Sequence, residues 1–267
     1  MIKNKKVAPI KVKSGKLPYL HDSRTLKLRK YLPEEDLRKI PSSYNWGKKI
    51  ERNDWGHLGN LKINNCTCAA AGHLVMNWTS NIGKLKRPSM KSVIQSYTDL
   101  TGYDPKTDGI GNPIEAIKAL KFWRKKGIAG HKIIAFAKLD FKDEKQLKQA
   151  IYLYGGCYIG MNLPESAEKQ YYASKKWTVP RSGLKGAGEP GSWMGHAMII
   201  TGYSEKELRA VTWGKEVIMT IDFWKAYVDE SYTVFSNDFI KDKRTPTHIS
   251  EASLLKEIME LKKNDND

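Results

Sequence analysis

Residues 59–70 read GNLKINNCTCAA, and this stretch decides the fold. Its first half is loop composition, rich in glycine and asparagine, and an alanine-rich helical pattern follows it to about Thr79. Asn65 stands where a helix N-cap belongs, so Cys66 falls at the start of the helix. Free backbone amides and the positive end of the helix dipole lower the pKa of a thiol in that place. The stretch therefore predicts a thiol nucleophile at Cys66.

A thiol nucleophile needs a general base, and His196 is the best placed of the six histidines. It stands where a glycine-rich loop, residues 181–195, meets the apolar strand pattern of residues 197–203. His73 is two helical turns beyond Cys66, roughly 10 Å away and too far for a hydrogen bond. We therefore expect Cys66 and His196 to converge across a cleft.

The cysteines also allow interpretations in which none of them is a nucleophile. Cys66 and Cys68 are alternatively small buried residues, or a C-x-C pair that binds metal. Cys157 is remote and no C-x-x-C pair exists, so we predict no metal site and no cofactor.

The remaining chain changes from helical to strand-like patterns along its length. Beyond the first helix we predict helices over 88–100, 113–126, 144–154, 223–229 and 250–263, and a short helical turn over Leu26–Tyr31. We predict strands over 132–137, 157–163, 197–203, 210–213, 217–222 and 232–235. Helices dominate the first half and strands the second, which predicts an α+β protein with two lobes.

Several of these segments resemble papain-type cysteine peptidases. The oxyanion glutamine of that family stands six residues before the cysteine, where this chain has Asn60, and GHA around His196 is similar to the family's histidine strand. VTWG at 211–214 resembles its Trp-Gly motif, and YGGCYIG at 154–160 its strand entering the β lobe. The resemblance implies a helical lobe and an antiparallel β-sheet or barrel lobe, with the active site in the cleft between them.

The same resemblance implies a role for each matched residue. Cys66 is expected as nucleophile and His196 as base, with Asn60 and the Cys66 amide as the oxyanion hole. Trp213 is expected to shield the imidazole from water. More closely, the chain resembles a group of papain-like phage and prophage proteins with segments like HDSRTLKL, WGHLGN, NCTCAAAGH and VTWGK, which implies a phage protein and a possible place in the virion.

Departures from the family pattern leave catalysis open. The Asn60 amide is one methylene shorter than glutamine, and Thr67 replaces the tryptophan usual after the nucleophile. The family's histidine-orienting asparagine falls at Val211, which cannot accept a hydrogen bond. Thr212 has the right chemistry, but adjacent strand residues face opposite sides, so the orienting role stays unassigned.

A second alignment also stays open. It makes Cys68 the nucleophile and puts Lys62 at the oxyanion position. Helix-start chemistry favours Cys66.

Charge and composition suggest the domain organisation. The net charge is +17, and residues 1–50 hold 14 lysines and arginines against four acidic residues, a net of +10. We predict a basic extended arm over 1–50, a papain-like domain over 51–245 and a C-terminal helix with a polar tail over 246–267. The helical lobe is placed at about 55–130 and the β lobe at about 131–240. The arm is alternatively a solvated tail, an inhibitory segment, an assembly contact, or a surface for nucleic acid or another acidic partner.

Three functions remain in competition. The first is a thiol hydrolase, a peptidase or isopeptidase acting on polypeptides. The second is a catalytically weak or inactive papain-fold protein that joins a virion or other assembly through its arm. The third is nucleic-acid binding. The chain has no apolar run long enough to span a bilayer and no signal peptide, which predicts a protein of the bacterial or infected-host cytoplasm, or of the virion, without membrane contact.

Overall fold

The computed structural model describes residues 15–28, 40–140 and 142–263. Within these residues the chain forms seven α-helices: α1 Cys66–Asn81, α2 Met90–Thr101, α3 Ala116–Lys125, α4 Glu144–Tyr154, α5 Glu165–Tyr172, α6 Ile221–Tyr227 and α7 Glu251–Lys263. The same residues form seven strands: β1 Tyr44–Asn45, β2 Ala135–Lys138, β3 Cys157–Leu163, β4 Met194–Tyr203, β5 Glu207–Thr212, β6 Lys215–Thr220 and β7 Val228–Phe235.

Helix α1 lies at the centre of the molecule, where every residue from Cys66 to Ser80 is buried. A helix that is buried all round has no polar face, and the alanine-rich first half lets neighbours approach it closely. The helix packs against β4 on one side and against α2 and α3 on another. Trp78 stacks on Trp123 of α3 at a centroid separation of 5.8 Å and donates through Nε1 to the carbonyl of Tyr154. These contacts fix the position of α1 and therefore that of Cys66, its first residue.

The strands form one antiparallel sheet in the order β2-β7-β3-β4-β5-β6, with β1 added to β4. Strand β4 lies inside the sheet and pairs with β3 and β5. Because α1 packs on β4, the start of the helix and the start of that strand meet. The helix-rich first half and the antiparallel sheet confirm the predicted α+β class.

A tight turn places Trp213 over the sheet. Strands β5 and β6 are joined by the two residues Trp213 and Gly214, both with positive φ, 47° and 87°. Positive φ at both positions is the pattern of a type I′ hairpin turn, which glycine and asparagine favour and a bulky residue rarely adopts. A Cβ on Gly214 would lie 2.9 Å from backbone atoms of Gly56 and His57, so only glycine fits there. The strain at Trp213 is offset by the packing of its ring, described below.

The predicted elements agree with the structure most closely in the middle of the chain. Helix α4 and strand β3 have the predicted bounds, whereas β4 begins three residues early and α5 was not predicted. Residues 29–31 of the helical turn predicted over Leu26–Tyr31 lie outside the described residues. Strand β1 pairs with β4 and Trp46 is buried in the core, although both fall within the segment predicted as the arm. None of the helices in the described ranges combines the length and apolar character needed to cross a lipid bilayer.

Candidate active site

Cys66 lies against the strand that carries the candidate base. Its side chain is 0% exposed, and Sγ accepts a hydrogen bond from the Ala197 amide at 3.4 Å. A second bond comes from the Gly15 amide at 3.1 Å. Since Ala197 follows His196 in β4, the structure brings the helix start and the histidine strand together across 131 residues of sequence.

The imidazole of His196 is held by β5 and by the turn after it. Its Nε2 is 2.6 Å from Thr212 Oγ1, and its ring stacks on Trp213 with centroids 4.1 Å apart and planes 22° apart. The stack covers one face of the buried ring. A fixed imidazole is what a general base requires, because the geometry of proton transfer is then set before the reaction.

The strand register explains why Thr212 is the partner. Ile199 lies opposite Val211 in the pairing of β4 with β5. Side chains alternate along each strand, so Thr212 shares a face of the sheet with His196 while Val211 faces the other side. The family's orienting position falls at Val211, whereas the residue that contacts the imidazole in the structure is Thr212.

Thiol and imidazole are both neutral in this conformation. Burial raises the pKa of Cys66 to about 11, although the amides of Ala197 and Gly15 and the charge of Lys16 act against it. Burial also lowers the pKa of His196 to about 3. Its Nδ1 has no hydrogen-bond partner among the residues that the structure describes. The site therefore holds the two groups in a resting, uncharged form.

Residues 15–17 cover the thiol, and we call them the cleft segment. Leu17 donates to the carbonyl of Ile114, and Ile114 donates to the carbonyl of Gly15, both at 2.9 Å, which gives a parallel bridge between Lys16 and Ile114. The Gly15 amide reaches Cys66 Sγ from this bridge. The thiol is thus buried in part by a segment that is distant in sequence from both Cys66 and His196.

The loop before Cys66 is fixed by its own hydrogen bonds. The Asn65 side chain donates to the Leu58 carbonyl at 2.9 Å rather than capping α1. His73 Nε2 lies 2.7 Å from the Gly56 carbonyl, and burial lowers the pKa of His73 to about 4. His73 therefore has a structural place beneath the loop. Asn60 is buried, with Nδ2 at 3.5 Å from the Ile63 carbonyl, a long contact for an amide.

The other cysteines have different surroundings. Cys68, the nucleophile of the second alignment, is 0% exposed inside the first turns of α1, and burial raises its pKa to about 12. Burial also raises the pKa of Cys157 in β3. Thr67, the residue after Cys66, accepts a hydrogen bond from the hydroxyl of Tyr158 through its carbonyl at 3.1 Å.

Sequence reasoning missed the residues that close the site. Gly15 and Lys16 lie in a run of lysines that gave no signal for a cleft contact. Ile114 was assigned to a helix that begins only at Ala116.

Comparison with known proteins bears on the fold. No protein-family model matches this chain, and no curated protein sequence matches it either. Xylellain, a cysteine protease from Xylella fastidiosa, has a similar structure, with a TM-score of 0.62 and 14% identity over 86% of this chain and 99% of that chain. The digestive procathepsin L2 proteinase of Tenebrio molitor larval midgut has a TM-score of 0.55 and 10% identity, over 84% of this chain and 78% of that chain.

A plant protein is similar as well. The cysteine protease CMS1MS2 of Carica candamarcensis gives a TM-score of 0.50 and 15% identity, over 74% of this chain and 99% of that chain. At such low identities these likenesses establish the fold alone. The papain-like α+β fold predicted from the sequence is therefore confirmed.

Proposed function

We propose that this papain-fold chain is a thiol hydrolase that cleaves polypeptides, as a peptidase or isopeptidase. The observation that carries the proposal is the meeting of the α1 start with β4, which puts the Cys66 thiol against the amide next to His196. A cysteine at a helix start beside a fixed imidazole is the arrangement that nucleophilic catalysis by a thiol needs. Thr212 completes it by holding the second ring nitrogen.

The reaction follows from these groups. When His196 Nε2–H donates to Thr212 Oγ1, Nδ1 is the basic nitrogen, and it takes the proton of the Cys66 thiol. The thiolate attacks the carbonyl carbon of a peptide or isopeptide bond, and the carbon–nitrogen bond breaks as the leaving amine takes the proton from the imidazolium. A thioester remains on Sγ. Water then attacks the thioester, gives its proton to His196, and releases the carboxylic acid and the free thiol.

Donors for the developing oxyanion lie at the helix start. The backbone amide of Cys66, at the first position of α1, makes no intrahelical bond and supports this role. Asn60 is the side-chain candidate because the loop carries it six residues before the thiol, in the place of the family's glutamine. Loss of one such donor typically lowers turnover about 10²- to 10³-fold.

Substrate reaches Cys66 only when the cleft segment moves away. Gly15 contributes one of the hydrogen bonds that bury the sulfur, and Lys16 pairs with Ile114 across the cleft. We therefore infer that the described conformation is a latent form of the hydrolase. The phage or prophage origin indicated by the resemblance remains part of the proposal.

One observation favours a second candidate. A thiol with its pKa raised to about 11, beside an imidazole whose Nδ1 has no partner among the described residues, is also what an inactive papain-fold protein would keep. Such a protein would serve a virion or other assembly as a structural component. This candidate predicts no hydrolysis under any condition and a large complex in sizing experiments.

Peptide cleavage decides between the candidates. The chain is incubated with a mixture of unstructured peptides, with and without deletion of residues 1–17, and products are identified by mass spectrometry. We expect cleavage after the deletion, abolished by Cys66→Ala and lowered about 10²- to 10⁴-fold by His196→Ala. Cys68→Ala is the matched control and should retain activity. Equal cleavage by the Cys66→Ala variant, or none by a folded deletion variant, would overturn the hydrolase proposal.

A further inference from the structure

An acidic pocket next to the thiol holds the side chain of Lys16. Lysine is almost never fully buried without a partner, yet this side chain is 0% exposed. Its Nζ donates to Asp229 Oδ2 at 2.7 Å and to the Leu17 carbonyl at 2.8 Å. It also forms an ion pair with Glu230 Oε1 at 3.0 Å, although this contact does not have the geometry of a hydrogen bond. We call Asp229 and Glu230 the acidic pocket.

A β-bulge builds this pocket. In the pairing of β3 with β7, Gly160 lies opposite Glu230 and Met161 lies opposite Val228, so Asp229 has no partner. Neighbouring residues of a regular strand point to opposite faces, but a bulge turns them toward one side. Both carboxylates can therefore reach one cation. Bulges of this kind commonly aim side chains at functional sites.

The surrounding residues fit a lysine closely. A Cβ on Gly160 would lie 2.1 Å from Lys16 Cε, and a Cβ on Gly195 would lie 2.6 Å from the Lys16 carbonyl oxygen. Glycine at these two positions leaves room for the side chain and the main chain of the occupant. Tyr232 donates its hydroxyl to Glu230 Oε2 at 2.8 Å and fixes that carboxylate from the far side.

Lys16 is bound as one residue of an extended peptide. Main-chain hydrogen bonds to Ile114 flank it on both sides, and the preceding residue, Gly15, contacts Cys66 Sγ. Main-chain pairing with a side-chain pocket is how extended peptides are recognised at strand edges. The residue in the pocket is therefore one position away from the residue at the nucleophile.

We propose that the acidic pocket selects a lysine or arginine side chain of the substrate, next to the bond that is cleaved. This rests on the proposed hydrolase function, and Lys16 is the internal occupant that such a substrate replaces. A carboxylate pair buried without a cation is unfavourable, so neutral and acidic side chains are rejected. Asp229 Oδ1 has no hydrogen-bond partner in the described part of the chain, which leaves an acceptor for a second N–H of a guanidinium.

The test uses the full chain with Gly15→Ala and Lys16→Ala. A Cβ at position 15 would lie 1.6 Å from the Asn64 carbonyl oxygen and displaces the cleft segment, and alanine at position 16 removes the occupant of the pocket. Fluorescein-labelled peptides GKLPYL, the sequence of residues 15–20, carry lysine, arginine, norleucine or glutamate at the second position. Norleucine matches the length of lysine without its charge. Binding is measured by fluorescence anisotropy, and kcat/KM is measured on unlabelled peptide libraries with the same four residues. Glu230→Gln is added to test the pocket, and Glu205→Gln, an exposed carboxylate at the far end of β4, is the matched control.

Each outcome has a separate meaning. We expect lysine and arginine peptides to bind at least tenfold tighter than norleucine, and Glu230→Gln but not Glu205→Gln to bring this ratio near one. Hydrolysis without any preference for a basic residue would overturn the pocket assignment and leave the hydrolase proposal standing. Selective binding without hydrolysis would support the pocket and refute the hydrolase. Equal binding of lysine and norleucine peptides by the chain with Gly15→Ala and Lys16→Ala refutes the pocket even if Glu230→Gln fails to fold.

Discussion

Gly15→Ala is the smallest change that should open the cleft. A Cβ built on Gly15 would lie 1.6 Å from the carbonyl oxygen of Asn64 and 2.1 Å from its carbonyl carbon. Both are backbone atoms of the loop that leads into α1, so no side-chain rotation can relieve the contact. The cleft segment must therefore leave its place by more than an ångström.

Two sets of interactions oppose this movement. Three hydrogen bonds hold the main chain of residues 15–17, and at about 1 kcal/mol each they contribute about 3 kcal/mol. Separating the buried Lys16 ammonium from Asp229 and Glu230 costs about 3–5 kcal/mol more. A 1.6 Å contact with backbone exceeds that by a wide margin, so the segment should dissociate. With a pKa of about 11, Cys66 is about 0.03% thiolate at pH 7.5. Once exposed with an ordinary pKa near 8.5, it is about 10% thiolate, which predicts alkylation about 300-fold faster.

Iodoacetamide labelling at pH 7.5, quenched at intervals and analysed by mass spectrometry, measures this directly. Cys68 and Cys157 are internal controls, because both are buried away from the cleft segment and should stay unlabelled. Equal labelling of all three cysteines would mean that Gly15→Ala unfolds the chain. The reasoning is refuted if the folded variant labels Cys66 no faster than the parent chain does, or if the parent already reacts at the rate of a free cysteine.

Three further predictions concern the histidines and their surroundings. Thr212→Val leaves His196 Nε2 without its partner and should lower the unfolding free energy by about 1–3 kcal/mol in urea titrations. The control is Thr201→Val. The hydroxyl of Thr201 has no hydrogen-bond partner in the residues described, so its loss should change the unfolding free energy little. Burial lowers the pKa values of His196 and His73 to about 3 and about 4, so the unfolded chain alone binds these protons as the pH falls below about 6.5. The free energy of unfolding should then fall by about 3 kcal/mol for each histidine between pH 7 and pH 4. His73→Gln should remove about half of the total loss, and an unchanged pH dependence of stability in this variant would contradict the prediction. Trp213→Ala should raise the pKa of His196 toward its ordinary value in an NMR titration, and it should lower the free energy of unfolding by about 3–5 kcal/mol. A pKa that stays low would show that the indole ring of Trp213 does not exclude water from the imidazole.

The sequence predicted the parts of the site that local chemistry determines. Loop composition before Cys66 and alanine-rich periodicity after it located the helix start to within one residue. The apolar run after His196 located the strand and its end, although β4 begins three residues before the predicted start. Such signals are local because capping, turn and burial preferences act over a few residues.

What the sequence missed depends on register and on long-range packing. Whether Thr212 faces the imidazole could not be decided without knowing which residue lies opposite Ile199, and that register is a property of the folded sheet. The lysine at position 16 looks like any other in a basic segment, and only its place beside Glu230 distinguishes it. No local pattern encodes a contact across more than 200 residues.

The contacts of the cleft segment couple exposure of the thiol to the charge of the pocket. When residues 15–17 leave, Cys66 gains access to solvent, and Glu230 loses the cation that its burial requires. Burial raises the pKa of Glu230, and the charge of Lys16 opposes that rise, so an empty pocket favours the protonated acid or return of the segment. A substrate with a basic side chain supplies the missing cation and therefore stabilises the open form, whereas a neutral substrate does not. Opening of the cleft and selection of the substrate are then one equilibrium, governed by which ammonium or guanidinium group occupies the pocket.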